Sequence, residues 1–173
     1  TTILSGRYPL VHGIIRHGSD VTKQEISTFY STRTILLQEF LKENNYITIA
    51  IDWLGRWHKK GFHIYASASE LHKGIIPPTP KLRNALLSAL THLTPNWELY
   101  KSLHGLLYRI GYCYDKSALS VFNVAIELIN KVVRSYRKPF FMLIHLWDTH
   151  TPFHDIPYFL VKEFYRGERG EPV

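Results

Sequence analysis

Tyr46-Ile-Thr-Ile-Ala-Ile-Asp52 and Phe140-Phe-Met-Leu-Ile-His-Leu-Trp147 are the two stretches whose reading decides the fold. The first is rich in β-branched residues and almost continuously apolar. The second is a short apolar run that opens into a polar loop. A strand with one face in water would alternate, whereas a continuous run belongs to a strand covered on both faces, as in a parallel sheet flanked by helices. A helical pattern precedes each run. Over residues 31–44, Ile35, Leu36, Phe40 and Leu41 share a face, Lys42 and Glu43 point away, and Asn44 and Asn45 end the helix. A longer helix is expected from Lys116 to Tyr136. Its inner stripe is Ala118, Phe122, Ala125, Ile129 and Val132, widened by Val121, Ile126 and Val133, and Pro139 stops it. The order helix, strand, helix, strand predicts a layered α/β fold with a mostly parallel sheet.

Between these halves, residues 63–115 are less regular. Pro77, Pro78 and Pro80 break the pattern, and amphipathic helices are expected near 81–92 and 96–110. Their Leu, Trp and Tyr residues read first as core. A cap over a substrate cleft and a membrane-facing surface are the other readings.

The chain has 173 residues, enough for one sizeable core, with 45% hydrophobic and 20% charged residues, so it is not a disordered chain. Lys and Arg outnumber Asp and Glu by 21 to 14, a net charge of +7. The basic clusters are short: Arg56 with Lys59 and Lys60, and Arg134 with Arg137 and Lys138. A nucleic-acid binder concentrates its charge in a longer run or face, so a small anionic substrate fits the balance better. The single cysteine, Cys113, cannot form an internal disulfide and reads as a small buried hydrophobe. No apolar run reaches the roughly 18 residues of a membrane span. Neither repeats nor low-complexity tracts occur.

In open α/β sheets, ligands collect beyond the carboxyl ends of the strands. Both predicted strands end in loops of the same chemistry: Gly55-Arg-Trp-His58-Lys-Lys-Gly61-Phe, and Asp148-Thr-His150-Thr-Pro152-Phe-His154-Asp155. Arginine meets a tetrahedral oxyanion with a planar fork and lysine with a point charge. Histidine can donate to the oxyanion or protonate a leaving oxygen near neutral pH. A zinc site is disfavoured. His150 and His154 have helical spacing, but Pro152 between them forbids the helix, and no HExxH is present.

Leu4-Ser-Gly-Arg-Tyr-Pro9 with His12-Gly13 resembles the sulfatase stretch LTGRYPxxHG of the alkaline phosphatase superfamily. Gly55-Arg-Trp-His58 is similar to the family's GKWH, and Trp147-Asp-Thr-His-Thr-Pro-Phe153 to its DPHTPY. Leu37-Gln-Glu-Phe-Leu-Lys-Glu-Asn-Asn-Tyr-Ile-Thr48 is similar to LxEVLKExGYxT. The four stretches occur in family order and span most of the chain outside 63–115. The resemblance implies an alkaline phosphatase-like fold, with residues 1–173 a partial catalytic domain and 63–115 a helical insertion in it. It implies a parent enzyme that hydrolyses sulfate esters with a formylglycine or serine nucleophile and a divalent metal, typically calcium. Phosphodiester or phosphonate hydrolysis and phosphoglycerol transfer are the alternatives within the superfamily. A non-catalytic binding module of the same fold is a further one.

The resemblance carries His150 and His58 over as catalytic residues and Arg56 as a substrate-binding one. It implies no metal ligand in this chain. Arg56 stands where the family has lysine. A second register, aligned on Asn45-Tyr46, instead places Asp52, Trp53, Leu54 and Gly55 opposite GKWH. Gly6, Tyr8 and Pro9 are expected to shape a turn, with Arg7 structural. Counting back from Gly6 places the family's nucleophile ahead of Thr1. The 173-residue chain is therefore expected to release no phenol from an aryl sulfate in the presence of calcium. Turnover well above the uncatalysed rate in a stopped absorbance assay would refute that placement.

Overall fold

The computed structural model describes residues 1–72, 80–147 and 157–164, and within these the side chains of 80–84, 87, 161 and 164 are left aside. The chain divides into two compact units, residues 1–66 with 131–143, and residues 67–130 with 144–173. In the first, the helices are α1 (Thr2–Ser5), α2 (Pro9–His12), α3 (Lys23–Ser31) and α4 (Leu37–Glu43). The strands are β1 (Ile47–Ile51), β2 (Ile64–Ala66) and β3 (Phe140–Ile144). Single 3-10 turns lie at Gly18–Asp20 and Arg56–Lys59. The sheet is small, open and all-parallel, in the order β2-β1-β3, with Ile49 opposite Ile64 and Ile51 opposite Ala66. The fold is α/β, as the sequence pattern predicts.

Every residue of β1 is buried, which is why its sequence lacks alternation. The one polar residue within it, Thr48, is fully buried and fully used. Its hydroxyl donates to the Gly61 carbonyl (3.3 Å) and accepts from the His63 N–H (3.2 Å), while its own N–H donates to His63 Nδ1 (3.1 Å). β3 departs from expectation. Its continuous apolar run predicts burial, but it is half-buried along its length because, among the described residues, it is an edge strand paired with β1 alone.

Of the helix expected over 31–44, α4 forms at Leu37–Glu43; residues 32–36 are extended and Ser31 ends α3. α3 begins earlier, at a capping box. The Thr22 hydroxyl accepts from the Glu25 N–H (3.2 Å), and the Glu25 carboxylate accepts from the Thr22 N–H (2.9 Å). The Thr32-Arg-Thr-Ile35 stretch that follows is rich in β-branched residues, which favour extended backbone. α4 then starts where Glu39 accepts from the Leu36 N–H (2.9 Å). Leu36 enters the core with Ile14, Val21, Phe29 and Trp57, whereas Ile35 and Phe40, assigned to the same face by periodicity, are exposed.

The second unit holds α5 (Ala68–Leu71), α6 (Pro80–Leu93), α7 (Trp97–Arg109), α8 (Ala118–Tyr136, up to Asn130) and α9 (Tyr158–Phe164). The bounds of α6, α7 and α8 fall within two residues of the expected ones. The inward stripe of α8 matches in part and is rotated toward Val121 and Val124. Val121, Val124, Ala125 and Val132 are buried, while Phe122 (46%), Ile126 (58%) and Val133 (50%) are exposed. His104 of α7, itself buried, sets this rotation. Its Nε2 lies 3.1 Å from the Ser117 hydroxyl and 3.2 Å from that of Ser120, so the face carrying these serines turns inward. Burial pushes the His104 imidazole down to about 4, so the ring is neutral there. Tyr112 and Tyr114 pack with Leu86 and Leu107. Among the described residues no helix is long and apolar enough to cross a membrane.

Gly61, between the 3-10 turn and β2, has φ +84°, and a Cβ built there would lie 2.4 Å from Glu39 Cγ. Gly61→Ala combines left-handed strain with a collision against α4. It is expected to cost about 1–3 kcal/mol, read as a lower urea midpoint at unchanged m-value.

Candidate functional site

The backbone leaves β1 at a buried carboxylate. Asp52 Oδ1 accepts from the Leu54 N–H (3.0 Å) and Oδ2 from the Tyr65 hydroxyl (2.7 Å), and Tyr65 Oη in turn accepts from the Gly55 N–H (3.0 Å). This relay ties the loop after β1 to β2. Gly55 then adopts φ 64°, ψ −143°, open only to glycine, and Arg56 follows with φ 51°, a left-handed conformation rare for a side-chain-bearing residue. The strain turns the chain sharply into the 3-10 turn. Trp57 packs into the core, where its Nε1–H donates to the Thr1 hydroxyl (2.9 Å), and the Arg56 guanidinium and the His58 ring lie against its indole, all three lining one cleft.

They face a cleft of about 570 Å³ that lies wholly in the first unit. Its other wall is the segment from Pro9 to Ser19, including His12, Arg16 and His17. The structure thus brings together the GRYPxxHG stretch and the GRWH loop, which sequence reasoning had not paired. The loop after β3, with His150, Asp148, His154 and Asp155, lies outside the described residues.

Arg56 is held without being neutralised. One terminal nitrogen donates to the Gly18 carbonyl (3.1 Å) and the other to the Val21 carbonyl (2.8 Å), and the guanidinium lies over the Trp57 ring, 4.7 Å from its centroid. Among the described residues no carboxylate forms an ion pair with it. Among the described residues two of its five N–H groups are used, both on neutral acceptors. Arg16 differs, since its charge is met by Glu25 at 3.0 Å. His58 Nδ1 lies 3.1 Å from the Gly55 carbonyl, which can only accept, so Nδ1 carries a proton.

His12 ends α2 with its ring fully buried. The Ile14 N–H donates to Nδ1 (3.2 Å), which assigns the neutral ring's proton to Nε2, 3.1 Å from the Thr2 hydroxyl. Burial holds its imidazole below the usual histidine range. Gly6 and Pro9 do shape the turns around it. Gly6 caps α1 in the left-handed conformation, Pro9 opens α2, and Tyr8 and Arg7 are exposed. Sequence reasoning missed Arg16 and His17 as lining residues, and it missed Glu25 altogether. The Thr22-x-x-Glu25 spacing was a usable signal for the last.

No group of three or more His, Cys, Asp or Glu side chains able to hold a metal ion occurs among the described residues. The ionisable side chains that line the cleft are arginines and histidines with no carboxylate among them, a poor donor set for a hard divalent cation such as calcium. Comparison with family models, with curated proteins and with solved structures finds no match to this chain.

The buried neutral His12 makes stability depend on pH with a definite sign. The unfolded state takes up its proton near 6.5 and the native state only lower, so between those values the unfolded chain binds more protons and stability falls as pH falls. Chemical denaturation of wild type and His12→Gln across pH 7.5 to 5 should give a smaller decline in the variant. Equal slopes would mean that His12 protonates as readily in the native chain as in the unfolded one.

Proposed function

We propose that this chain is the oxyanion-binding part of a sulfuric ester hydrolase of the alkaline phosphatase superfamily. One observation carries the reading. In the cleft where the GRYPxxHG stretch and the GRWH loop meet, Arg56 is fixed by two carbonyls and an aromatic ring, with no carboxylate paired to it among the described residues. A cation held in place by neutral partners costs little further ordering when an anion arrives.

In this reading the free guanidinium N–H groups receive the non-bridging oxygens of the ester, and His58 lies at the same wall. A nucleophilic hydroxyl attacks sulfur, the S–O bond to the alcohol breaks, and the departing oxygen takes a proton from an imidazole. His150 is the residue the resemblance assigns to that contact. Negative charge grows on the departing oxygen in the transition state, where a proton donor counts most. The described residues do not fit calcium, so nothing in this scheme is derived through the metal. Arginine in place of the family's lysine keeps the charge but donates no proton at neutral pH, which places the burden of protonation on histidine. A phosphodiester is the second reading, favoured by the same arginine, because its bidentate fork suits a phosphate as well as a sulfate.

The gene's product, including whatever sequence precedes Thr1, should be assayed on 4-nitrophenyl sulfate and on bis(4-nitrophenyl) phosphate. Preference for the first supports the sulfatase reading and preference for the second the alternative. Arg56→Ala and His150→Ala should each lower kcat/KM on the preferred ester by about 100-fold or more. A gene that lacks a C/S-x-P-S-R stretch ahead of Leu4-Ser-Gly6 sinks the enzyme reading in favour of a binding module.

A further inference from the structure

Glu25 lies away from the ester-contacting groups, nearly buried at the start of α3, yet its carboxylate is the most heavily bonded group in the first unit. Oε1 accepts from the Ile15 N–H and the Arg16 N–H, both at 3.0 Å. Oε2 accepts from the Thr22 N–H and the Thr22 hydroxyl, both at 2.9 Å, and from the Arg16 guanidinium at 3.0 Å. One side chain therefore pins residues 15–16 and residue 22, the two ends of the loop that contains the Gly18–Asp20 turn. The carbonyls that hold Arg56, those of Gly18 and Val21, lie inside that loop.

We infer that Glu25 is a positioning residue that closes the 15–22 loop so that its Gly18 and Val21 carbonyls hold the Arg56 guanidinium in the cleft. The inference rests on the reading of Arg56 as the anion-holding group. Geometry makes the coupling specific. The capping box alone would need only the Thr22 contacts, and it would stabilise α3 without reaching back to Ile15 and Arg16. The carboxylate's remaining bonds close the loop, and its pKa is held far below the usual carboxylate range, chiefly by backbone donors at Thr22 and Arg16. It therefore stays ionised at any pH at which the cleft could bind an anion. Neutral glutamine keeps the size but offers a single acceptor oxygen, so it cannot pin both ends of the loop.

The test uses the 173-residue chain, with inorganic sulfate as the probe and sodium chloride at equal ionic strength as the control. Arg56 Nε–Hε is followed by NMR in wild type, Glu25→Gln, Glu25→Asp, Arg56→Ala and the double variant Glu25→Gln/Arg56→Ala. Wild type is expected to show a dispersed Arg56 resonance that shifts with sulfate. Glu25→Gln should return that resonance to the unstructured position and weaken sulfate binding by about 10-fold, the loss of one charge-assisted contact. In the Arg56→Ala background Glu25→Gln should change sulfate affinity no further, whereas a purely structural glutamate would lower it in both backgrounds. Glu25→Asp, which keeps the charge but is too short to reach both ends, serves if the glutamine variant does not fold, and the same loss of dispersion is expected. An Arg56 resonance unchanged in either variant overturns the positioning role. Sulfate binding absent from wild type, with dispersion still lost in Glu25→Gln, leaves the positioning role standing and overturns the anion-binding reading instead.

Discussion

The burial of β1 on all sides sets the terms for the rest of the first unit. A strand with neighbours on both edges and none of its five residues exposed must pair its backbone and silence any polar side chain it carries. Thr48 meets that demand through His63 and Gly61, which in turn fixes how the chain enters β2. Asp52 meets it at the exit, where the Tyr65 hydroxyl and the Leu54 N–H satisfy a carboxylate that has left water. The loop between these fixed points has little freedom left. Its sharp reversal at Gly55 and Arg56 is the geometric result, and that reversal seats Trp57 in the core with Arg56 and His58 against its ring at the cleft.

The chain is basic overall, yet the electrostatic character of the cleft depends on pairing rather than on the sum. Arg16 and Arg56 line the same space, and the first is answered by Glu25 while, among the described residues, the second is answered by carbonyl dipoles and a ring face and by no carboxylate. An arginine tied to a carboxylate offers little to an incoming anion. One tied to neutral acceptors keeps its charge and has already lost its rotamer freedom. Glu25 thus serves the cleft twice, by removing one cation from competition and by shaping the wall that holds the other.

In the second unit the polar interior has another purpose. His104, Ser117 and Ser120 form a closed hydrogen-bonded group, with the Tyr114 N–H donating to Ser120 (3.1 Å), so the buried imidazole is satisfied as a neutral ring. Cys113 is pushed up to about 12 by burial and stays a thiol, in keeping with a small packed side chain. The exposed apolar residues of α8, Phe122, Ile126 and Val133, are the complement of a rotation that this group imposes.

Sequence by itself determined what depends on local pattern: β1 from its unbroken apolar run, α6, α7 and α8 from their periodicity and stops, and the α/β class from the alternation of elements. Periodicity drew the inner stripe of α8 too wide: it held Val121, Ala125 and Val132, which are buried, but also Phe122, Ile126 and Val133, which are exposed, because hydrophobicity alone does not show that the side bearing Ser117 and Ser120 turns to His104. It joined Ile35 and Phe40 into one helix because the run of β-branched residues at 32–36 competes with the helix through backbone preference, which a hydrophobic count does not weigh. Nor could it distinguish an edge strand from a central one in β3, since that depends on which strands pair. The candidate residues Arg56 and His58 were legible as chemistry. Whether Arg56 points at solvent, a carboxylate or a pair of carbonyls depends on contacts with Gly18 and Val21, more than thirty residues away in the chain. Only the tertiary fold brings such groups together, and so only the fold decided that Arg56 is met by carbonyls and by no carboxylate among the described residues.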